Sequence, residues 1–149
     1  MANNYRRAFE ITIGTTRYVY PYIKAAPQPT RTDPVRSAAV DTELAREAFS
    51  YVLASGRGGL VHAEQVLEYN QDPAFVREQM LYELTLEAQR RVAATKLSKR
   101  EITRRLNTSA SQFYRLLDQT NYRKSVDQVL ALLQVLNCEV DLVVRTKTA

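Results

Sequence analysis

Polarity along the chain changes period once. Before Asn70 short runs of strand type dominate, and after Asn70 apolar positions recur every three or four. Arg7 to Ile13 (RAFEITI) and Arg17 to Tyr22 (RYVYPY) are rich in aromatic and β-branched residues, and Gly14, Thr15 and Thr16 between them supply a turn, so the pattern predicts a β-hairpin. Shorter strands are expected over Val35 to Val40, Ala48 to Leu53 and Leu60 to Val66, separated by DTELAR and by SGRGG. Ala25 to Pro34 holds three of the five prolines, which cannot donate to a ladder, and reads as a loop.

Asp72 can cap a helix with Pro73 at its first position. Phe75, Val76, Met80, Leu81, Leu84, Ala88 and Val92 then form an apolar stripe; the pattern leaves open a break near Leu84 to Leu86. Three serines each stand three residues before a glutamate or glutamine: Ser98 with Glu101, Ser109 with Gln112, and Ser125 with Gln128. This is the capping-box spacing, in which the serine oxygen takes an orphan amide and the longer side chain returns to the serine's own amide. Ile102 and Leu106, then Phe113, Leu116 and Leu117, then Val126, Val129, Leu130, Leu133 and Leu136 supply buried stripes for three consecutive helices. Asn107, tolerant of a left-handed conformation, sits where the first must stop. Cys138 to Arg145 (CEVDLVVR) reads as a terminal strand. The fold class expected is therefore α+β: a small β-rich N-terminal module over residues 1–70, followed over 71–149 by an all-helical helix-turn-helix bundle with a C-terminal β-strand.

Composition narrows the chemistry. The 149 residues, 45% hydrophobic and 25% charged, have the balance of a soluble globular protein. There is no apolar run of about 18 residues. The start, MANNYRRAFEITIG, lacks the continuous apolar block of a signal peptide, so a cytoplasmic location is expected. Cys138 and His62 are single, which rules out an internal disulfide and leaves too few ligands for a Cys/His zinc site. No metal, cofactor or catalytic residue is expected. SGRGG lacks the ending of a phosphate-binding loop and reads as a hairpin turn. Tyr18, Tyr20 and Tyr22 share a strand face and read as packing before base stacking.

Charge adds a direction. Between Gln89 and Lys124 ten Lys or Arg face only Glu101 and Asp118, a local charge of +8 in a chain of +5 overall. Such a block suits a polyanion, because Lys and Arg neutralise phosphates and release counterions. A solvated helix face is the plain alternative.

The stretch LSKREITRRLNTSASQFYRLLDQ, with Leu97, Ser98, Ile102, Leu106, Ser109, Phe113, Arg115 and Leu116 at the core and capping positions, resembles the helix-turn-helix of the lambda-repressor-like (Xre-type) regulators and many antitoxins. The likeness extends over roughly residues 75 to 145. Asn107 replaces the usual turn glycine, Thr103 the usual alanine, Lys99 a glutamine and Thr108 a valine. The resemblance implies that Ala110, Ser111 and Gln112 reach base edges, while Lys99, Ser109, Tyr114 and Arg115 hold the backbone or groove wall. Gln can pair with adenine N6 and N7, Ser can bond either kind of base, and an Ala methyl can meet a thymine methyl. The competing role for Gln112 is the capping box itself. Arg104, Arg105, Arg123 and Lys124 are phosphate candidates that solvation explains equally well. The function expected is a sequence-specific DNA-binding regulator acting on double-stranded DNA as a homodimer. The alternative is an antitoxin that holds a partner toxin through its N-terminal module and regulates its own gene through the helix-turn-helix. An enzyme is not expected, since His62 stands without a nucleophile.

Overall fold

Strands β1 (Ala2–Asn3), β2 (Ala8–Ile13) and β3 (Thr16–Pro21) form a three-stranded antiparallel sheet in that order. The computed structural model describes residues 1–147. Ile13 faces Thr16 at the β2–β3 turn, where Gly14 takes a φ of +62°. A second antiparallel sheet joins β4 (Val35–Val40), β5 (Ala48–Leu53) and β6 (Gly58–His62). Asn4 links the two sheets with its side chain: Nδ2 donates to the Val35 carbonyl at 3.0 Å, and Oδ1 accepts from the Val35 amide at 3.1 Å and the Tyr22 hydroxyl at 2.9 Å. Helix α1 (Ala63–Asn70) follows β6 and packs on both β6 and β3.

One core serves both sheets. The Phe9 ring of β2 lies 4.8 Å from Tyr22, just after β3, and 4.9 and 5.0 Å from Phe49 and Tyr51 of β5, so the aromatic rings of the two sheets meet in one core. Tyr20 is buried and Tyr18 donates its hydroxyl to Asp72 at 2.7 Å, so this face of the hairpin packs inward; β3 ends at Pro21, and the buried Tyr22 opens a short 3-10 turn (Tyr22–Lys24) instead of continuing the strand face. The SGRGG turn closes the β5–β6 hairpin. Asp33 pins it by accepting from the Ser55 amide (2.8 Å), the Ser55 hydroxyl (2.7 Å) and Arg57 (3.0 Å). These bonds, those from Ser55 foremost, hold the Asp33 carboxyl below the usual range.

Helix α2 (Pro73–Ala94) starts where Asp72 accepts from the Phe75 amide at 3.1 Å and runs unbroken through Leu84 to Leu86. After it come α3 (Lys99–Leu106), α4 (Ala110–Leu116) and α5 (Val126–Val135). Leu81, Ala88, Ile102, Phe113, Val129, Leu132 and Leu133 form their core. The chain divides into two compact units, Met1–Val76 and the part from Arg77 onward, each with its own core.

The architecture differs from the expected one of a β-rich module, an all-helical bundle and a terminal strand. Two three-stranded sheets occupy the N-terminal half and five helices follow, the first of them inside the N-terminal unit. Leu60 to Val66 is strand only as far as His62. The Gln65 side chain accepts from the His62 amide at 2.8 Å and starts α1 there. Cys138 to Arg145 is not a strand. A strand needs a neighbour to satisfy its amides and carbonyls, and the described part of the second unit is helical. Two stripes are also shifted: Thr85 is buried on α2 while Met80 is exposed, and Leu132 is buried on α5 while Leu130 is exposed. Thr85 is tolerated because its hydroxyl donates to the Leu81 carbonyl at 2.5 Å. No helix among the described residues is long and apolar enough to cross a membrane.

Candidate nucleic-acid interface

The two short helices are set by their ends. Ser98 Oγ accepts from the Glu101 amide at 3.1 Å to start α3. Asn107 stops it at φ +53°, with its own amide and that of Thr108 returning to the carbonyls of Arg104 and Thr103. Ser109 Oγ then accepts from the Gln112 amide at 3.2 Å to start α4, only three residues after α3 ends. Ile102 and Phe113, both fully buried, lie in the same core and fix the two helices against each other.

The capping boxes are completed unequally. At α5 the reciprocal bond forms, Gln128 Oε1 accepting from the Ser125 amide at 2.9 Å. At α4 the Gln112 amide caps while its side chain makes no return bond, so the carboxamide stays exposed and uncommitted among the described residues. Of the two roles weighed for Gln112, capping thus occupies only its backbone. At α3 the return bond is replaced by an ion-pair cluster: Glu101 accepts from Arg104 at 2.6 and 2.9 Å and from Arg105 at 2.9 Å.

Those bonds hold the Glu101 carboxyl far below its usual range, at about 2, with the hydrogen bonds from Arg104 and then Arg105 as the main causes. A carboxylate whose folded value is depressed contributes stability that is fully present above about 4.5 and lost as pH falls toward 2. The stability advantage of the native chain over Glu101→Gln, read from urea unfolding, is therefore expected to level off above about pH 4.5 and to be lost as pH falls through about 2. An advantage that persists unchanged at pH 2 would refute it.

All seven principal candidates, Lys99, Ser109, Ala110, Ser111, Gln112, Tyr114 and Arg115, are exposed and lie on the first turn of α3 or on α4 and its cap. Lys99 Nζ lies 5.4 Å from the centre of the Tyr114 ring and 3.5 Å from its hydroxyl, so the first turn of α3 meets the side of α4. Ser109 and Ser111 hydroxyls stand 3.2 Å apart.

The further candidates part company. Arg104 and Arg105 are tied to Glu101, and Arg90 and Arg91 to Glu87, so four cations of the basic block share two carboxylates and are only partly balanced. Lys124 is buried at 5% exposure, and its ammonium donates to the carbonyls of Leu116 at 2.9 Å and Asp118 at 2.8 Å. It closes the C-terminal end of α4 and is not turned to solvent for a phosphate; burial pushes its pKa down. Among the described residues no ion pair engages Lys96, Lys99, Arg100, Arg115 or Arg123. Arg115 and Arg123 border an open cleft of about 690 Å³ beside α4, together with Thr108, Gln112 and Asn121.

Sequence reasoning missed the groups that hold the far end of α4. The Arg115 carbonyl accepts from Asn121 at 3.3 Å, and the Leu117 carbonyl from Gln89 at 2.7 Å. Arg77 donates to the carbonyls of Tyr122 and Lys124, at 3.2 Å each, and pins the loop that follows. Partners up to 47 residues away leave no local signal.

No family model, curated protein or solved structure matches this chain. The functional reading therefore stands on the geometry and chemistry of its own residues.

Proposed function

We propose that the chain is a sequence-specific DNA-binding protein, a transcriptional regulator that acts as a dimer and lays the start of α4 in the major groove. The observation that carries this reading is the exposed face formed by Ala110, Ser111 and Gln112, with Lys99, Arg100, Arg115 and Arg123 in no ion pair among the described residues. Short polar and methyl groups at the start of a helix suit base edges, and unpaired cations suit phosphates. Its supports are local: a helix, a three-residue turn and a helix joined by one core, with a free carboxamide at Gln112. A single unit of this kind reads few base pairs, and a two-fold dimer reads half-sites about 34 Å apart.

The test is selection of bound duplexes from a random pool at near-physiological salt, followed by titration of variants. Arg115→Ala and Lys99→Ala are expected to weaken binding to all sequences alike and to flatten the salt dependence by about one unit each. Gln112→Ala is expected to relax preference at one base pair, at a cost of roughly 1–3 kcal/mol. Binding lost at that salt, or no enriched motif, would sink the reading.

A protein partner held by the N-terminal unit, as in an antitoxin, is the second reading. Tyr5 at 96% and Ile23 at 72% exposure are the large apolar side chains of that unit which favour it. Copurification of a small protein from a native lysate, lost in Tyr5→Ala with Ile23→Ala, is its test.

A further inference from the structure

The stretch from Glu139 to Lys147 has no regular secondary structure, yet Leu142, Val143 and Val144 are 78, 77 and 84% exposed. Three adjacent large apolar residues left in water are unusual outside a contact surface. The segment carries three valines and no proline or glycine, which suits an extended backbone. Once extended, its side chains sort cleanly. Val140, Leu142 and Val144 fall on one face. Glu139, Asp141, Val143, Arg145 and Lys147 fall on the other, acids before bases.

That order of charges decides what can pair with it. If a second copy runs antiparallel about Val143, Asp141 faces Arg145 and Leu142 faces Val144, while Val143 meets its own equivalent. In parallel register every acid would face an acid and every base a base, which destabilises. The segment is thus complementary to itself in one direction only. Antiparallel pairing also gives the amides and carbonyls of the two copies ladder partners in each other.

We propose that a second copy of this chain covers the segment, residues 139–147 of the two copies pairing as an antiparallel ribbon about a two-fold axis through Val143. Each copy contributes the same patch, as a closed two-fold contact requires. The chain taken singly has no strand here; the ribbon exists only between copies. The proposal deepens the DNA-binding reading by naming its dimer contact and rests on that reading for the dimer's purpose alone. Association is measured without DNA, so failure of one is distinguishable from failure of the other.

Sedimentation equilibrium of the full chain over about 1–100 µM is expected to show a monomer–dimer equilibrium. Asp141→Arg and Arg145→Asp each set two like-charge pairs across the axis and are expected to weaken the dimer roughly tenfold. The double variant swaps the pair and is expected to recover the parent's association. All these positions are exposed, so the variants leave both cores untouched. A chain that stays monomeric over the whole range overturns the proposal. So do single variants that dimerise like the parent, or a double variant no tighter than the singles.

Discussion

Phe113→Ala is expected to lower the stability of the helical unit by about 3–5 kcal/mol and to abolish the proposed DNA binding along with it. Phe113 is fully buried and is the largest side chain in a core otherwise made of Leu, Ile, Val and Ala. It is also the one residue by which α4 enters that core fully, Leu116 and Leu117 being only partly covered. Truncation removes the transfer energy of the ring and leaves a cavity that α2, α3 and α5, held by their own contacts, fill only in part. A small domain has about 5–15 kcal/mol in all, so the loss takes a large share of it. Urea unfolding followed by far-ultraviolet circular dichroism reads the effect, and a loss under about 1 kcal/mol would contradict the packing described.

The second large effect lies in the other unit. Gly59→Ala is expected to cost about 3 kcal/mol, the upper end for overpacking. A β-carbon at Gly59 would stand 2.5 Å from the Tyr51 hydroxyl oxygen, 2.6 Å from its ring and 2.7 Å from the Ala26 carbonyl oxygen. None of these can yield cheaply. Tyr51 is 1% exposed, lies 5.0 Å from the Phe9 ring and donates to the Pro27 carbonyl at 2.7 Å, while the Ala26 oxygen is backbone. Because each unit has its own core, Gly59→Ala is expected to lower the unfolding midpoint of the sheets and to leave the proposed DNA binding by the helical unit intact. Fluorescence anisotropy with a labelled duplex, beside thermal unfolding, separates the two. A large loss of affinity without loss of sheet stability would contradict the assignment of the contact surface to α3 and α4.

The elements that could be read from the sequence are those whose cause is local. The strands of Val35–Val40 and Ala48–Leu53 and the caps at Ser98, Ser109 and Ser125 depend on residues within a few positions of one another. So does the left-handed stop at Asn107. What escaped depends on distance or on competition. Leu60 to Val66 has the apolar content of a strand, but the Gln65 side chain reaching His62 ends it early. The stretch CEVDLVVR has every local mark of a strand and no neighbour in its own unit to make it one. Among the basic residues, sequence counts Arg104, Arg105, Arg123 and Lys124 alike. Folding separates them by what each can reach: Glu101 for the first two, the carbonyls that end α4 for Lys124, and solvent for Arg123.

Three consecutive carbonyls at the end of α4, those of Arg115, Leu116 and Leu117, each accept from a different side chain: Asn121, Lys124 and Gln89. A helix of seven residues is too short to hold its shape alone, and this fastening supplies what its length does not. Any ligand that meets α4 finds a surface already ordered, so little conformational entropy remains to be lost on association. The heat-capacity change of binding should then match the apolar area covered, without the added increment of a segment that folds as it binds.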